Sequence, residues 1–259
     1  MSKPTLTVAL IVKNEAKHLA LCLDSVKDWA DDIVILDSGS TDATEEIARR
    51  YDASFYCNAQ WPGFGKQRQL AQAYVKTDYV LWLDADEQIS PELRHSIEAA
   101  LLANRPKVAY RLNRRSSAFG REITHSGWYP DYVLRLFRPQ EAHYNDDLVH
   151  ESAQPEPGVT LMTLSGDLRH QPYENLNHYL TKTTRYAMDW SAQRQAAGQR
   201  SSLSKAVVHA IGCFLKMYVL RAGFLDGKQG FLLAILYTHA TFIKYADLWI
   251  ETEIAPTKS

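Results

Sequence analysis

Cysteine is scarce in this sequence: Cys22, Cys57 and Cys213 are the three among 259 residues. They stand too far apart for a metal motif, and three is an odd count for a disulfide framework, so a reducing, cytosolic setting fits. An excess of one charge is also missing. Lys and Arg number 29 against 30 Asp and Glu, a formal net charge of −1, which argues against a nucleic-acid binder. Two glycine signatures are absent as well. No Gly-x-Gly-x-x-Gly follows the first strand-like run, and no Gly-x-x-x-x-Gly-Lys-Ser/Thr occurs anywhere, so dinucleotide and P-loop folds fall away. Nor is there an uninterrupted apolar run of about twenty residues, the length of a spanning helix. Val8 to Val12 is too short for a signal-peptide core and lacks a small-residue cleavage site behind it; a first strand is expected there instead.

What is present is ordinary globular material, 46% hydrophobic and 23% charged, enough for one large domain or a domain with an appendage. Thr5 to Val12 reads as a strand, followed by Leu19, Leu23 and Val26 at helical spacing. Asp32 to Leu36 is a second buried-type strand, closed by Asp37-Ser38-Gly39-Ser40-Thr41-Asp42. An Asp42…Glu45 pair resembling a capping box should start the next helix. Ala53 to Cys57 is a third strand, and a helix begins near Lys66 after Gly63 and Gly65. The fourth strand is the centre of the pattern. Tyr79 to Glu87 reads YVLWLDADE, five apolar residues that end abruptly in acid. This βαβαβαβ alternation predicts a parallel sheet with right-handed crossovers. Ligands bind at the carboxyl ends of such strands, where Asn14, Glu15, Asp37, Lys66, Asp84 and Asp86 stand. Two carboxylates one residue apart suit a hard cation bound to diphosphate, whereas Ser90-Pro91 makes an acidic helix cap the competing explanation.

VALIVKNE, DSGSTDAT, GFGKQRQLA and WLDADE, in this order and at these separations, resemble the donor-binding half of a family 2 glycosyltransferase with the GT-A fold. The resemblance covers roughly residues 5 to 155. It implies that Asp37 contacts the uracil or ribose of a UDP-sugar, that Lys66 lies near the base and Asp84 near the ribose, and that Asp86 binds Mg2+ or Mn2+. Asp37 could instead satisfy turn amides, and Lys66 could be a solvated helix residue.

After a helix from Pro91 to Leu102, Val108 to Asn113 reads as a strand, followed by an Arg-rich, Gly-bearing stretch to Arg121 and an alternating strand from Val133 to Arg138. Arg114, Arg115, Arg121, Trp128 and Tyr129 are candidates for stacking on a sugar and holding anionic groups of an acceptor. An inverting transfer needs a base for the acceptor hydroxyl. Glu151, in Val-His-Glu, is the first candidate and Asp131 the alternative, with His150 as a possible metal or phosphate contact.

From Asn175 the chain is expected to be helical, with a break at residues 196–200 and two apolar stretches, Ala206 to Leu220 and Gly230 to Ile243. Lys205, Lys216, Arg221, Lys228 and Lys244 lie among their aromatic and aliphatic residues, the composition of a helix pair lying in a membrane interface. Packing of the two helices on each other and on the catalytic domain is the competing explanation. The tail YENLNHYLTKTTRYA and the stretch Phe214 to Tyr245 are similar to the bacterial branch that adds glucose to the inner-core heptose of lipopolysaccharide. That resemblance implies UDP-glucose as donor, a lipopolysaccharide core acceptor and a peripheral place on the cytoplasmic face of the inner membrane. The expected organisation is a GT-A-type α/β domain over residues 1–170 and a helical, membrane-associating tail over 171–259. A transferase acting on polyprenyl phosphate, and a non-catalytic nucleotide-sugar-binding membrane adaptor, are the alternatives.

Overall fold

The computed structural model describes residues 3–145 and 151–254. Contacts divide the chain into two units: Met1–Arg114 with Asp131–His170, and Arg115–Pro130 with Gln171–Ser259. Residues 115–130 thus cluster with the C-terminal helices, an excursion that no composition shift announces.

In the first unit, β1 (Leu6–Val12), β2 (Asp32–Asp37), β3 (Ser54–Cys57) and β4 (Tyr79–Trp82) lie parallel in the order β3-β2-β1-β4. Their crossovers carry α1 (Leu19–Asp24), α2 (Thr44–Arg50) and α3 (Phe64–Gln72). Both faces of this block are covered, so its strands must be apolar at nearly every position. Leu6, Val8, Leu10 and Val12 of β1 join one core with Leu19 and Ile47, while Ala9 turns to a second core with Val80, Trp82 and Ala71 of α3. Each Leu or Val fully withdrawn from water contributes about 1.5–3 kcal/mol.

The chain then adds β5 (Glu87–Ile89), α4 (Pro91–Ala103), β6 (Val108–Ala118), β7 (Arg121–Glu122), β8 (Tyr132–Phe137), β9 (Ala142–Tyr144), β10 (Ala153–Pro155) and β11 (Thr160–His170). Beyond β4 the sheet continues β8-β6-β11-β5. β8 runs antiparallel to β4 and β6, and β11 antiparallel to β5 with His170 opposite Glu87. The Ser90 hydroxyl caps α4 by accepting from the Leu93 amide at 3.2 Å, with Pro91 in the first turn, as that pair predicts. α2 differs from its expected start. Its N-cap is Ala43 with no side-chain cap, because Asp42 accepts from the Thr44 amide and hydroxyl and, through its other oxygen, from the Ala16 amide. The Arg-rich stretch after Asn113 is strand too, since Ser117 and Ala118 pair with β7. Gly166 in β11, at φ +88°, lets the strand pass α4: a Cβ there would sit 2.3 Å from the Leu93 amide nitrogen.

The second unit holds the β6–β7 hairpin end and α5 (Leu176–Ala196), α6 (Leu203–Phe214) and α7 (Gly227–Trp249), with α7 packed on both other helices. Asn175 and Ser202 cap α5 and α6. Buried Asp226, just before α7, accepts from the amides of Thr124 and His125 at 3.1 and 2.9 Å and so pins the turn after β7. α6 runs on as a π-helical segment to Leu220. The 18 residues Leu203–Leu220 are long and apolar enough to cross a membrane by length and composition, which the count of uninterrupted apolar residues did not anticipate. Val208, Ile211 and Leu220 on it are 67%, 55% and 78% exposed.

Candidate active site at the end of β4

Where β4 stops, the backbone turns through Asp84, Ala85 and Asp86 into β5, and the carboxylates of Asp84 and Glu87 meet two buried arginines. Arg68 of α3 and Arg135 of β8 both donate through Nη2 to Asp84, Arg68 to Oδ1 and Arg135 to Oδ2 at 2.6 Å. Arg135 also reaches Glu87 at 3.1 Å, and Glu87 accepts from the Asp84 amide at 2.9 Å. Burial would raise the Asp84 carboxyl, but Arg135 and Arg68 outweigh it and hold the group well below the usual carboxylate range. Glu87, fully buried, is pushed up by burial and by neighbouring Asp84 despite Arg135. Burial would lower both guanidinium groups, but Asp84 together with Glu151 beside Arg68 and Glu87 beside Arg135 more than offsets it, so they stay charged.

Arg68 does a second thing. Its Nε lies 3.3 Å from Glu151, and its guanidinium stacks 5.2 Å from the Trp82 ring and 5.0 Å from that of Tyr144. One residue therefore ties the first candidate base to the acids of β4, on a rigid aromatic floor. Asp131, the alternative base, is held at 2.8 Å by Arg114, which also lies 3.7 Å from Glu87.

The ends of β1 and β2 are joined into a second polar group. Asn14, in the left-handed region at φ 56°, accepts from the Thr41 amide at 2.8 Å, and its own amide donates to Ser40. The Glu15 amide donates to the Thr44 hydroxyl. Asp37 is buried and accepts from the amides of Gly39 and Ser40 at 2.7 and 2.8 Å, so both its oxygens face its own turn once the Ser40 hydroxyl is included. Gln67 of α3 is fully buried and donates to the Ser38 hydroxyl, while Lys66 beside it is exposed and donates to Gln69 at 3.1 Å. Asn14, Glu15 and Asp37 are thus brought together, with Lys66 on the outer side of α3.

Of the acceptor candidates, Arg114 belongs to the first unit and the other four to the second. Arg115 lies over the Tyr129 ring at 4.9 Å and 3.5 Å from Glu122. Arg121 donates to the Leu225 carbonyl at 3.2 Å. Trp128 packs on the small core of Ala118, Ile123 and Leu233.

His150 lies outside the described residues. The described residues hold no group of three His, Cys, Asp or Glu side chains able to enclose a metal ion. They do bring Asp86 Oδ2 within 3.5 Å of His170 Nε2, a carboxylate and an imidazole converging from the end of β4 and the end of β11. Asp86 is the kind of oxygen donor that Mg2+ or Mn2+ would take, with the His170 imidazole beside it. His170, Arg68 and Arg135 were missed by the sequence reading. Arg68 stood inside the GKQRQLA motif, but only the packing of α3 shows it to be buried.

The glycosyl transferase family 2 profile matches residues 7–155. The lipopolysaccharide core biosynthesis glycosyltransferase LpsC of Rhizobium meliloti is 28% identical over 252 residues, covering 95% of this chain and 93% of its own. An uncharacterised glycosyltransferase of Rickettsia prowazekii is 26% identical over 92% of this chain and 85% of its own. Among solved structures, glucosyl-3-phosphoglycerate synthase from Mycobacterium tuberculosis, in complex with Mn2+ and UDP-glucose, is 25% identical over 44% of each chain, with a TM-score of 0.37. The profile match covers more than half of the sequence and includes every strand of the parallel block but the first residue of β1; the chain belongs to glycosyl transferase family 2, with an α/β domain of the GT-A type.

Proposed function

We propose that this glycosyltransferase moves glucose from UDP-glucose to an inner-core heptose of lipopolysaccharide, with inversion, at the cytoplasmic face of the bacterial inner membrane. The observation that carries the chemistry is the joining of Glu151 to the acids of β4 through Arg68. An acceptor hydroxyl must lose its proton as it attacks the anomeric carbon, and Glu151 takes that proton. Arg68 fixes the direction of the Glu151 carboxylate. Together with Arg135 it also keeps Asp84 ionised, facing the ribose side of the donor. The polar group of Asn14, Glu15 and Asp37 borders the base. Asp86 and His170 would hold Mg2+ or Mn2+, which supplies positive charge to the leaving diphosphate.

The acceptor assignment is supported by the similarity to LpsC along nearly the whole of both chains. The membrane assignment is supported by the exposed apolar residues of α6. An acceptor anchored in lipid requires an enzyme that works at a surface. Within the second unit, Arg115 and Arg121 would meet acidic groups of such an acceptor, and Trp128 and Tyr129 its sugar rings.

The test is UDP release by purified protein with Mg2+ or Mn2+, comparing UDP-glucose, UDP-galactose and UDP-N-acetylglucosamine, with and without a heptose-containing core acceptor. Acceptor-dependent release from UDP-glucose alone is expected. Release only with another donor or acceptor would overturn the proposed substrates.

A further inference from the structure

The three helices of the second unit carry a cluster that sugar transfer does not use. Trp190 of α5 and Tyr245 of α7 meet edge to face at 4.9 Å, and His209 of α6 lies flat on Tyr245 at 4.2 Å with 4° between the rings. Three cations converge on these rings. Arg194 lies 5.3 Å from Trp190, Lys244 lies 4.9 Å from Trp190 and 5.5 Å from Tyr245, and Lys205 lies 5.9 Å from Tyr245. Among the described residues none of the three has a carboxylate partner; Arg194 donates to Gln199 at 3.2 Å.

Cations on aromatic faces are positioned without being neutralised. Like charges so placed repel: burial lowers the Lys244 ammonium, and Arg194 pushes it the same way. An arrangement that gathers positive charge and leaves it uncompensated is complementary to an anion. Its setting indicates which one. Lys205 sits on α6 one turn before His209, and the same helix exposes Val207, Val208 and Ile211 to solvent. Exposed apolar side chains flanked by cations match a bilayer surface, with acyl chains beside phosphates.

We propose that Arg194, Lys205 and Lys244, on the platform of Trp190, Tyr245 and His209, bind the phosphate of an anionic phospholipid headgroup. The inference deepens the membrane assignment above, on which it rests, and is independent of the transfer chemistry.

The experiment is co-sedimentation of the full chain with phosphatidylcholine vesicles, with and without a minor fraction of phosphatidylglycerol. Arg194→Gln/Lys205→Gln/Lys244→Gln is compared with a control of equal charge loss in the first unit, Lys27→Gln/Arg49→Gln/Lys76→Gln. The cluster variant should lose about tenfold or more in affinity for the anionic vesicles, with much less loss in the control and none on neutral vesicles. Lys205→Gln alone, at an exposed position, should lose about fivefold and serves if the triple variant does not fold. Equal losses in cluster and control variants would overturn the site in favour of general charge attraction. Release of wild-type protein from vesicles by inorganic phosphate at the same phosphate concentration would overturn the lipid source. Binding to neutral vesicles with no gain from phosphatidylglycerol would overturn this inference and leave the membrane assignment standing; no binding to either would overturn both.

Discussion

Arg68→Met tests how the acids of β4 are held. The side chain is 3% exposed and contacts Asp84, Glu151 and two aromatic rings. Methionine fills similar apolar space over Trp82 and Tyr144 but removes the charge. Deleting one partner of a buried ion pair costs about 3–5 kcal/mol. Here Arg135 still holds the second oxygen of Asp84 at 2.6 Å, so the loss should fall at the lower end, about 3 kcal/mol. For a chain of this size that is a drop of about 6–12 °C in Tm. Turnover should fall as well, because Glu151 loses the donor that orients it. Arg68→Lys should recover only part of each loss, since one ammonium cannot present a planar fork to two carboxylates. The assays are thermal melting by near-ultraviolet circular dichroism and UDP release on the same preparations. A Tm within about 2 °C of wild type with kcat unchanged would refute the reasoning, because no buried pair could then depend on Arg68.

Three further outcomes are expected. Glu151→Gln should lower kcat by about 10²–10⁴ with UDP-sugar affinity retained, whereas a mild loss would favour a phosphate acceptor, which is already nucleophilic. Because the folded-state carboxyl of Asp84 lies well below its unfolded value, the stability it contributes is fully present above about pH 4 and is lost as pH falls through the folded value. Melts between pH 7 and pH 2 should therefore show an acid-side fall that is shallower in Asp84→Asn. Gly166→Ala should fail to fold or melt at least about 5 °C lower, since a Cβ 2.3 Å from the Leu93 nitrogen forces β11 away from α4; an unchanged melt would contradict that packing.

The parallel block was legible because strands covered on both faces must be continuously apolar, and YVLWLDADE shows both that run and the acids at its end. The antiparallel half was only partly legible. β11 is mostly polar, with buried Leu168 near its end, so nothing in its composition marks it as part of the main sheet. His170 consequently could not be placed beside Asp86; that proximity comes from the pairing of β11 with β5, across more than eighty residues of chain. Arg135 was hidden differently. An arginine is ordinarily left in water, yet this one is 6% exposed because Asp84 and Glu87 compensate its charge. Asp37 shows a converse limit: its turn was evident, but how fully that turn occupies both carboxylate oxygens required the folded loop.

The most direct test of the central claim, that the end of β4 is a metal-assisted nucleotide-sugar site, is calorimetric titration of UDP into wild type, Asp86→Ala and His170→Ala, each with and without Mn2+. Manganese-dependent binding in the wild type that is lost or reduced at least about tenfold in both variants is the predicted result. Binding that is indifferent to Mn2+ and to both substitutions would contradict the claim and return Asp86 and His170 to an ordinary structural contact between the β4–β5 turn and β11.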